Sequence, residues 1–150
     1  MVAHDQIIKF VAACAEDSDE LADLRVEVMR PSLEAVGRFD EVRARQRFLS
    51  SFTPNDTQKI QRNGNLIGFY TVKEFGDHLY LDNLYLKTTE QGQGVGSRVL
   101  NHVKERAAHQ ALPIRLTALV GSDANAFYRG HGFKLIWVSE FDNHYEFMVK

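Results

Sequence analysis

Cys14 is the only cysteine among 150 residues, so no disulfide can close within the chain, and a reducing compartment is the setting such usage expects. A small core position is expected for it. Apolar runs are short, and none approaches the ~20 residues needed to cross a bilayer. The opening Met1-Val2-Ala3-His4-Asp5-Gln6 lacks a basic region followed by a long apolar stretch. The expectation is therefore a soluble cytoplasmic protein with no membrane partner. Neither sign of charge prevails. With 18 Lys and Arg against 20 Asp and Glu the net charge is −2, which gives nucleic acid no electrostatic hold. Arg43, Arg45 and Arg47 form a basic run without interleaved aromatics, the pattern of a solvated helix face. Linkers, repeats and low-complexity tracts are absent. His102 with His109, and His131 with His144, make no metal-site spacing with Cys14 or with a helical partner, so no metal is expected.

What remains is globular. Apolar residues at 44% and charged residues at 25% suit one ordinary domain, residues 1–150, large enough to bury a core. A first strand is expected over Ile7–Val11. Asp17 with Glu20 reads as a capping box for a helix whose face is Leu21, Leu24 and Val28, and Pro31 should end or bend it. A second helix is expected over Asp40–Ser50. Asn63-Gly64 between apolar runs signals a hairpin with a type I′ turn. In the next stretch Leu79 and Leu81 are in phase with each other and out of phase with Leu84 and Leu86, so a β-bulge is expected at Asp82-Asn83. Val95, Val99, Val103 and Ala107 give a helix an apolar stripe, with Arg98 and Glu105 towards water. A strand over Ile114–Val120 follows. A final hairpin is expected from Ile136-Trp137-Val138 to Tyr145, Phe147 and Val149, with its turn at Asp142-Asn143. The class is α+β, with a mixed, mostly antiparallel sheet.

Between the strand and the striped helix lies Gln91-Gly92-Gln93-Gly94-Val95-Gly96. Glycines allow successive amides to point into one concavity, and the helix that follows adds unsatisfied N–H groups and a partial positive charge. Such a segment suits a pyrophosphate. The NTPase phosphate loop would need Gly-Lys-[Ser/Thr], which Gly96-Ser97-Arg98 does not supply. The dinucleotide fingerprint G-x-G-x-x-G belongs early in a βαβ unit, which this is not. The pattern [Gln/Arg]-x-x-Gly-x-[Gly/Ala] is matched by Gln91, Gly94 and Gly96. Further on, Ala124-Asn125-Ala126-Phe127-Tyr128-Arg129-Gly130-His131-Gly132-Phe133 matches A-x-x-[Leu/Phe]-Tyr-x-x-x-Gly-Phe. In these two ordered signatures the chain resembles the GNAT family of acyl-CoA N-acetyltransferases, and the resemblance covers nearly the whole chain, most specifically Leu79–Phe133. It departs from the family where Asn often stands seven residues before the tyrosine. Gly121 is there instead, followed by Ser122, and Asn125 is the substitute to be considered.

The resemblance implies a GNAT-like fold with helices on both faces of the sheet, acetyl-CoA as cosubstrate, and transfer of its acetyl group to a primary amine of a small molecule or peptide by direct attack in a ternary complex. It implies that the backbone N–H of Leu84 donates to the acetyl carbonyl, that Leu86 contacts the pantetheine arm, and that Gln91, Gly92, Gln93, Gly94, Val95, Gly96 and Ser97 hold the phosphates. Tyr128 is implied as the acid that protonates the departing thiolate, which a pKa near 10 permits. Asp82 is the first candidate for the base, with Glu27, Glu34 and His144 as alternatives. The amine is the partner implied, and a homodimer is left open. A reading of a different class is a non-catalytic acyl-CoA-binding or regulatory module on the same fold.

Overall fold

The computed structural model describes residues 7–149; residues 1–6, the stretch read for a leader, and residue 150 lie outside the described residues. In chain order the elements are β1 (Ile8–Ala12), α1 (Ser18–Ala35), α2 (Glu41–Ser51), β2 (Thr57–Arg62), β3 (Asn65–Phe75), β4 (His78–Leu86), α3 (Val95–Gln110), β5 (Ile114–Leu119), α4 (Ala124–Gly130), β6 (Lys134–Val138) and β7 (Asp142–Phe147). The strands form one sheet in the order β1-β2-β3-β4-β5-β7-β6. Pairing is antiparallel for β1 with β2, β2 with β3, β5 with β7 and β6 with β7, and parallel for β4 with β5. This is the mixed, mostly antiparallel α+β sheet that the sequence predicts. Among the described residues no helix is long and apolar enough to cross a membrane.

By packing, the chain divides into two compact units. The first runs up to Thr71 and resumes over Asn83–Gln93. Leu21, Ala22 and Leu24 on α1 are buried with Phe48 of α2 and Phe69 of β3, and Val28, Phe52, Leu66 and Tyr85 pack against them. The i, i+3, i+7 stripe therefore works as expected. Asp40 caps α2, its Oδ1 accepting the Arg43 N–H at 3.1 Å. Asn63 at φ 52° and Gly64 at φ 86° turn β2 into β3 with positive φ at both central residues, as a type I′ turn requires.

Two expectations fail in this unit, and one of two alternatives at Pro31 is decided. Cys14 is exposed, not a core residue. Its N–H donates to Asp17 Oδ2 at 2.8 Å and its thiol to the same oxygen at 3.4 Å. Hydrogen bonds with Glu16 and then Asp17 push the thiol above its ordinary pKa. The reciprocal capping thus falls on Cys14 and Asp17, three residues before the box expected. Asp17 is turned back, and its other oxygen meets Lys59 Nζ at 3.2 Å. Of the two outcomes expected at Pro31, an end or a bend, the end is excluded, because Pro31 lies inside α1, which continues to Ala35. Proline lacks the N–H that would bond the Glu27 carbonyl. Pro31 is exposed, so water can take that carbonyl and the helix survives.

The second unit comprises Val72–Asp82 and the chain from Gly94 onward. Val95, Val99, Val103 and Ala107 of α3 are all buried, as are Ile114, Leu116 and Ala118 on alternate positions of β5. Helix α3 meets α4 closely: a Cβ added at Gly96 would lie 2.9 Å from Phe127 Cζ. The parallel ladder is short, joining Leu79 to Ile114 and Tyr80 to Arg115. The last hairpin forms with its turn displaced from Asp142-Asn143. Ser139 donates its N–H to the Asp142 carbonyl at 2.9 Å, and Asp142 and Asn143 already belong to β7. Within the strand, the Asn143 side chain donates to Asn125 Oδ1 at 2.9 Å. β6 lies at the sheet's edge. Its four apolar residues are all about half exposed: Leu135 52%, Ile136 48%, Trp137 55% and Val138 55%.

Candidate functional site

The glycine segment leaves β4 through a short 3₁₀ turn, Thr88–Glu90, and enters α3. Gly92 at φ 79° and Gly94 at φ 85° are both in the left-handed region, with nothing within 4 Å of where a Cβ would stand. This explains why glycine occupies them: the backbone angle strains other residues, and the space beyond is open. Gly94 is the N-cap of α3, no side chain caps the helix, and the first turn contains no acidic residue. The N–H groups of Val95, Gly96 and Ser97 belong to that turn, in which the helix itself supplies no acceptors. With the dipole's positive end added, the turn is chemically suited to an anion.

Two glutamines and an arginine hold the segment in the first unit. Gln91 Nε2 donates to the Leu86 carbonyl at 3.0 Å, and Gln93 Nε2 to the Thr89 carbonyl at 3.1 Å. Arg62 of β2 donates from Nε to Glu90 Oε1 at 2.9 Å and from Nη2 to Gln93 Oε1 at 3.3 Å. Arg62 and Glu90 were not singled out in the sequence. They are 28 residues apart, and their side chains are only 16% and 18% exposed, a pairing that no local pattern announces. Leu84 and Leu86 are half-buried on β4.

In the second unit, α4 carries Asn125 and Tyr128 one turn apart, both buried at 6% and 7% exposure. The Tyr128 ring lies 5.8 Å from that of Phe133 and 5.4 Å from that of Phe127. Its carbonyl accepts the N–H groups of His131 and Phe133 at 3.0 and 3.1 Å, which ends the helix and starts β6. Asn125 is committed to the protein. Its amide nitrogen donates to the Leu119 and Ser122 carbonyls, each at 2.9 Å. Its Oδ1 accepts from Asn143 at 2.9 Å and from the Tyr145 hydroxyl at 2.8 Å. The Tyr145 hydroxyl in turn accepts from Arg129 Nη1 at 3.1 Å. This network sits where the usual family asparagine is missing, and Arg129, Asn143 and Tyr145 were not singled out in the sequence.

Asp82 is paired with Lys73, 3.3 Å away, and both side chains are about one quarter exposed. His144 stacks flat on Trp137, with ring centroids 3.8 Å apart and planes 9° apart, and its Nε2 lies 3.1 Å from Ser139 Oγ. Glu34 is tied to Arg30 at 3.0 Å along α1. Glu27, in the first unit, faces a surface depression together with Asp23, Arg30, Glu41 and Arg45. Ser97 Oγ lies 2.9 Å from His131 Nε2. Burial, and then the charge of Lys104, hold His131 below its ordinary pKa, so that its ring is neutral at neutral pH.

A model of the acetyltransferase (GNAT) family matches residues 19–133. No curated protein sequence matches the chain closely enough to count as a relative. Among solved structures it is similar to the PaiA N-acetyltransferase from Thermoplasma acidophilum in complex with coenzyme A. The TM-score is 0.78 and the identity 19%, over 95% of this chain and 99% of that one. It is similar also to the ribosomal-protein-S18-alanine N-acetyltransferase from Escherichia coli, with TM-score 0.71 and 14% identity over 96% and 95%. A third likeness is to N-acetylglutamate synthase from Neisseria gonorrhoeae, complexed with coenzyme A and N-acetyl-glutamate. There the TM-score is 0.67 and the identity 16%, over 96% of this chain and 35% of that one. At these identities the structural likeness is one of fold.

Proposed function

Because the chain belongs to the acetyltransferase (GNAT) family, we propose that the whole of it serves as one N-acetyltransferase domain, moving an acetyl group from acetyl-CoA to a primary amine of a small molecule or peptide by direct attack in a ternary complex. The observation that carries this reading is the first turn of α3. A glycine N-cap at positive φ, no capping side chain and no acidic neighbour leave backbone donors for a ligand's phosphates, and the open space at Gly92 and Gly94 lets a ligand approach. These residues fit the pyrophosphate of coenzyme A.

The thioester supplies an activated acyl group. Everything else falls to the chain. The Leu84 N–H polarises the acetyl carbonyl and stabilises the oxyanion, an effect worth about 3–4 kcal/mol where such donors have been removed. Leu86 supports the pantetheine arm, and Gln91–Ser97 hold the phosphates. As the carbon–sulfur bond breaks, the Tyr128 hydroxyl gives its proton to the thiolate. Asn125 contributes by fixing the start of α4, and hence Tyr128, through its bonds to Leu119, Ser122 and Tyr145. Asp82 is the base proposed for the ammonium proton, reached by exchanging Lys73 for the cationic substrate. Glu27, Glu34 and His144 are the alternatives. The similar structures include one named for an alanine of ribosomal protein S18 and one bound to N-acetyl-glutamate, which keeps both peptide and small-molecule acceptors in view.

A cytoplasmic location is proposed with this activity. So is a homodimer through β6, because a second copy set against the sheet's edge covers the exposed Leu135, Ile136, Trp137 and Val138.

Calorimetry with acetyl-CoA, followed by thiol release over a panel of amines, tests the catalytic reading. Turnover with at least one amine is expected, whereas binding without turnover across the panel would leave the non-catalytic module. Gly94→Val tests the loop. The open space around that position lets the fold survive, while the side chain enters the phosphate position and strains the backbone. Acetyl-CoA should bind at least about tenfold more weakly, and unchanged affinity in the folded variant refutes the assignment.

A further inference from the structure

Of Val95, Gly96 and Ser97, the residues that open α3, only Ser97 offers a polar side chain, and that side chain is held. Its Oγ lies 2.9 Å from His131 Nε2, in the turn that follows α4. His131 is fixed from several sides. Its ring packs on Phe127 at 4.8 Å, its N–H donates to the Tyr128 carbonyl at 3.0 Å, and its carbonyl accepts from Lys104 Nζ at 2.6 Å. Lys104 also lies over the Phe147 ring at 4.3 Å. Such bracing exceeds what a bystander histidine on a loop requires.

A neutral imidazole has one N–H and one lone pair. With the proton on Nε2, the ring donates to Ser97 Oγ, and the hydroxyl hydrogen is turned away from the ring. With the proton on Nδ1, Ser97 gives its hydrogen to the ring and presents only lone pairs elsewhere. An anion seated on the amides of Val95 and Gly96 distinguishes these states. A lone pair facing phosphate repels it, whereas an O–H makes a short, charge-assisted bond.

We propose that His131 is a positioning residue that presents the Ser97 hydroxyl as a hydrogen-bond donor to the cofactor's phosphates at the first turn of α3. The inference rests on the cofactor reading above. It adds a residue from the Tyr128 signature to phosphate binding and connects the two sequence signatures through one hydroxyl.

The test is the dissociation constant of coenzyme A, by calorimetry, for Ser97→Ala, His131→Leu, the double variant and His131→Gln, with a melting temperature for each. Ser97→Ala and His131→Leu should each weaken binding roughly tenfold, the scale of a hydrogen bond to a charged group. The double variant should be no weaker than the weaker single, because both changes remove one donor. His131→Gln should recover most of the affinity, since its amide N–H can stand where Nε2–H stood. A folded His131→Leu protein with wild-type affinity overturns the proposal, and so do single losses that multiply in the double variant. Should His131→Leu fail to fold, Ser97→Ala and His131→Gln decide: full affinity in Ser97→Ala, or a folded Gln variant that binds as weakly as Ser97→Ala, overturns it. Gly94→Val separates the two levels. Weakened binding there, with intact binding in the Ser97 and His131 variants, removes this inference alone, whereas intact binding there removes the cofactor reading beneath it.

Discussion

Tyr128 is the residue on which the proposed chemistry turns. Replacing it by Phe removes one oxygen and keeps the ring that packs near Phe127 and Phe133, so stability should change little. If its hydroxyl protonates the thiolate, kcat should fall roughly 10²–10⁴-fold while acetyl-CoA affinity holds, because that contact forms mainly in the transition state. Full activity in Tyr128→Phe removes it from the mechanism. Its position was legible because the signature names a tyrosine at a fixed distance from Gly132-Phe133. What surrounds it was not. Asn125 looked like a stand-in for a polar cofactor ligand, yet its amide is taken up by Leu119, Ser122, Asn143 and Tyr145. Those partners lie up to 20 residues away in sequence. Only the fold brings them together, and composition carries no trace of them.

Elements were more legible than contacts, because periodicity is local. The α3 stripe, the α1 face and the Asn63-Gly64 turn each follow from a repeat or a dihedral requirement within a few residues. Failure arose where a side chain found a distant partner, as Asp17 did in Lys59. Two glycines away from the cofactor loop separate backbone constraint from side-chain constraint. At Gly68 of β3 an added Cβ would stand 2.3 Å from the Tyr85 carbonyl oxygen and 2.8 Å from a Leu86 methyl. A neighbouring strand's backbone cannot step aside cheaply, and Gly68→Ala should cost at least the 1–3 kcal/mol typical of overpacking. At Gly96 the obstacle is the tip of the Phe127 ring at 2.9 Å. There a ring can tilt, and the helix-propensity gain of up to about 1 kcal/mol offsets part of the strain. Gly96→Ala should therefore stay within about 1 kcal/mol of wild type. Urea unfolding of both variants checks the order, and a costlier Gly96→Ala contradicts it.

At the scale of the whole molecule the exposed edge strand is the feature that composition could not foretell, since an apolar run reads as buried until its neighbours are known. β6 carries a bulge at Ile136, where its register with β7 slips. A bulge twists an edge away from further strand pairing, so the association expected here is a two-fold contact through the exposed side chains of Leu135, Ile136, Trp137 and Val138 that closes at two copies. Sedimentation over a concentration series should show a dimer that Ile136→Lys with Trp137→Lys converts to monomer. A wild-type chain that stays monomeric throughout rules the contact out. Trp137 is also the only tryptophan in the chain, and it lies flat on His144. An indole's emission depends on how much water surrounds it, so burial of the strand shifts its colour towards the blue. The protein thus contains its own optical probe at the edge, and the wavelength of its emission reports a change of company without any label being attached.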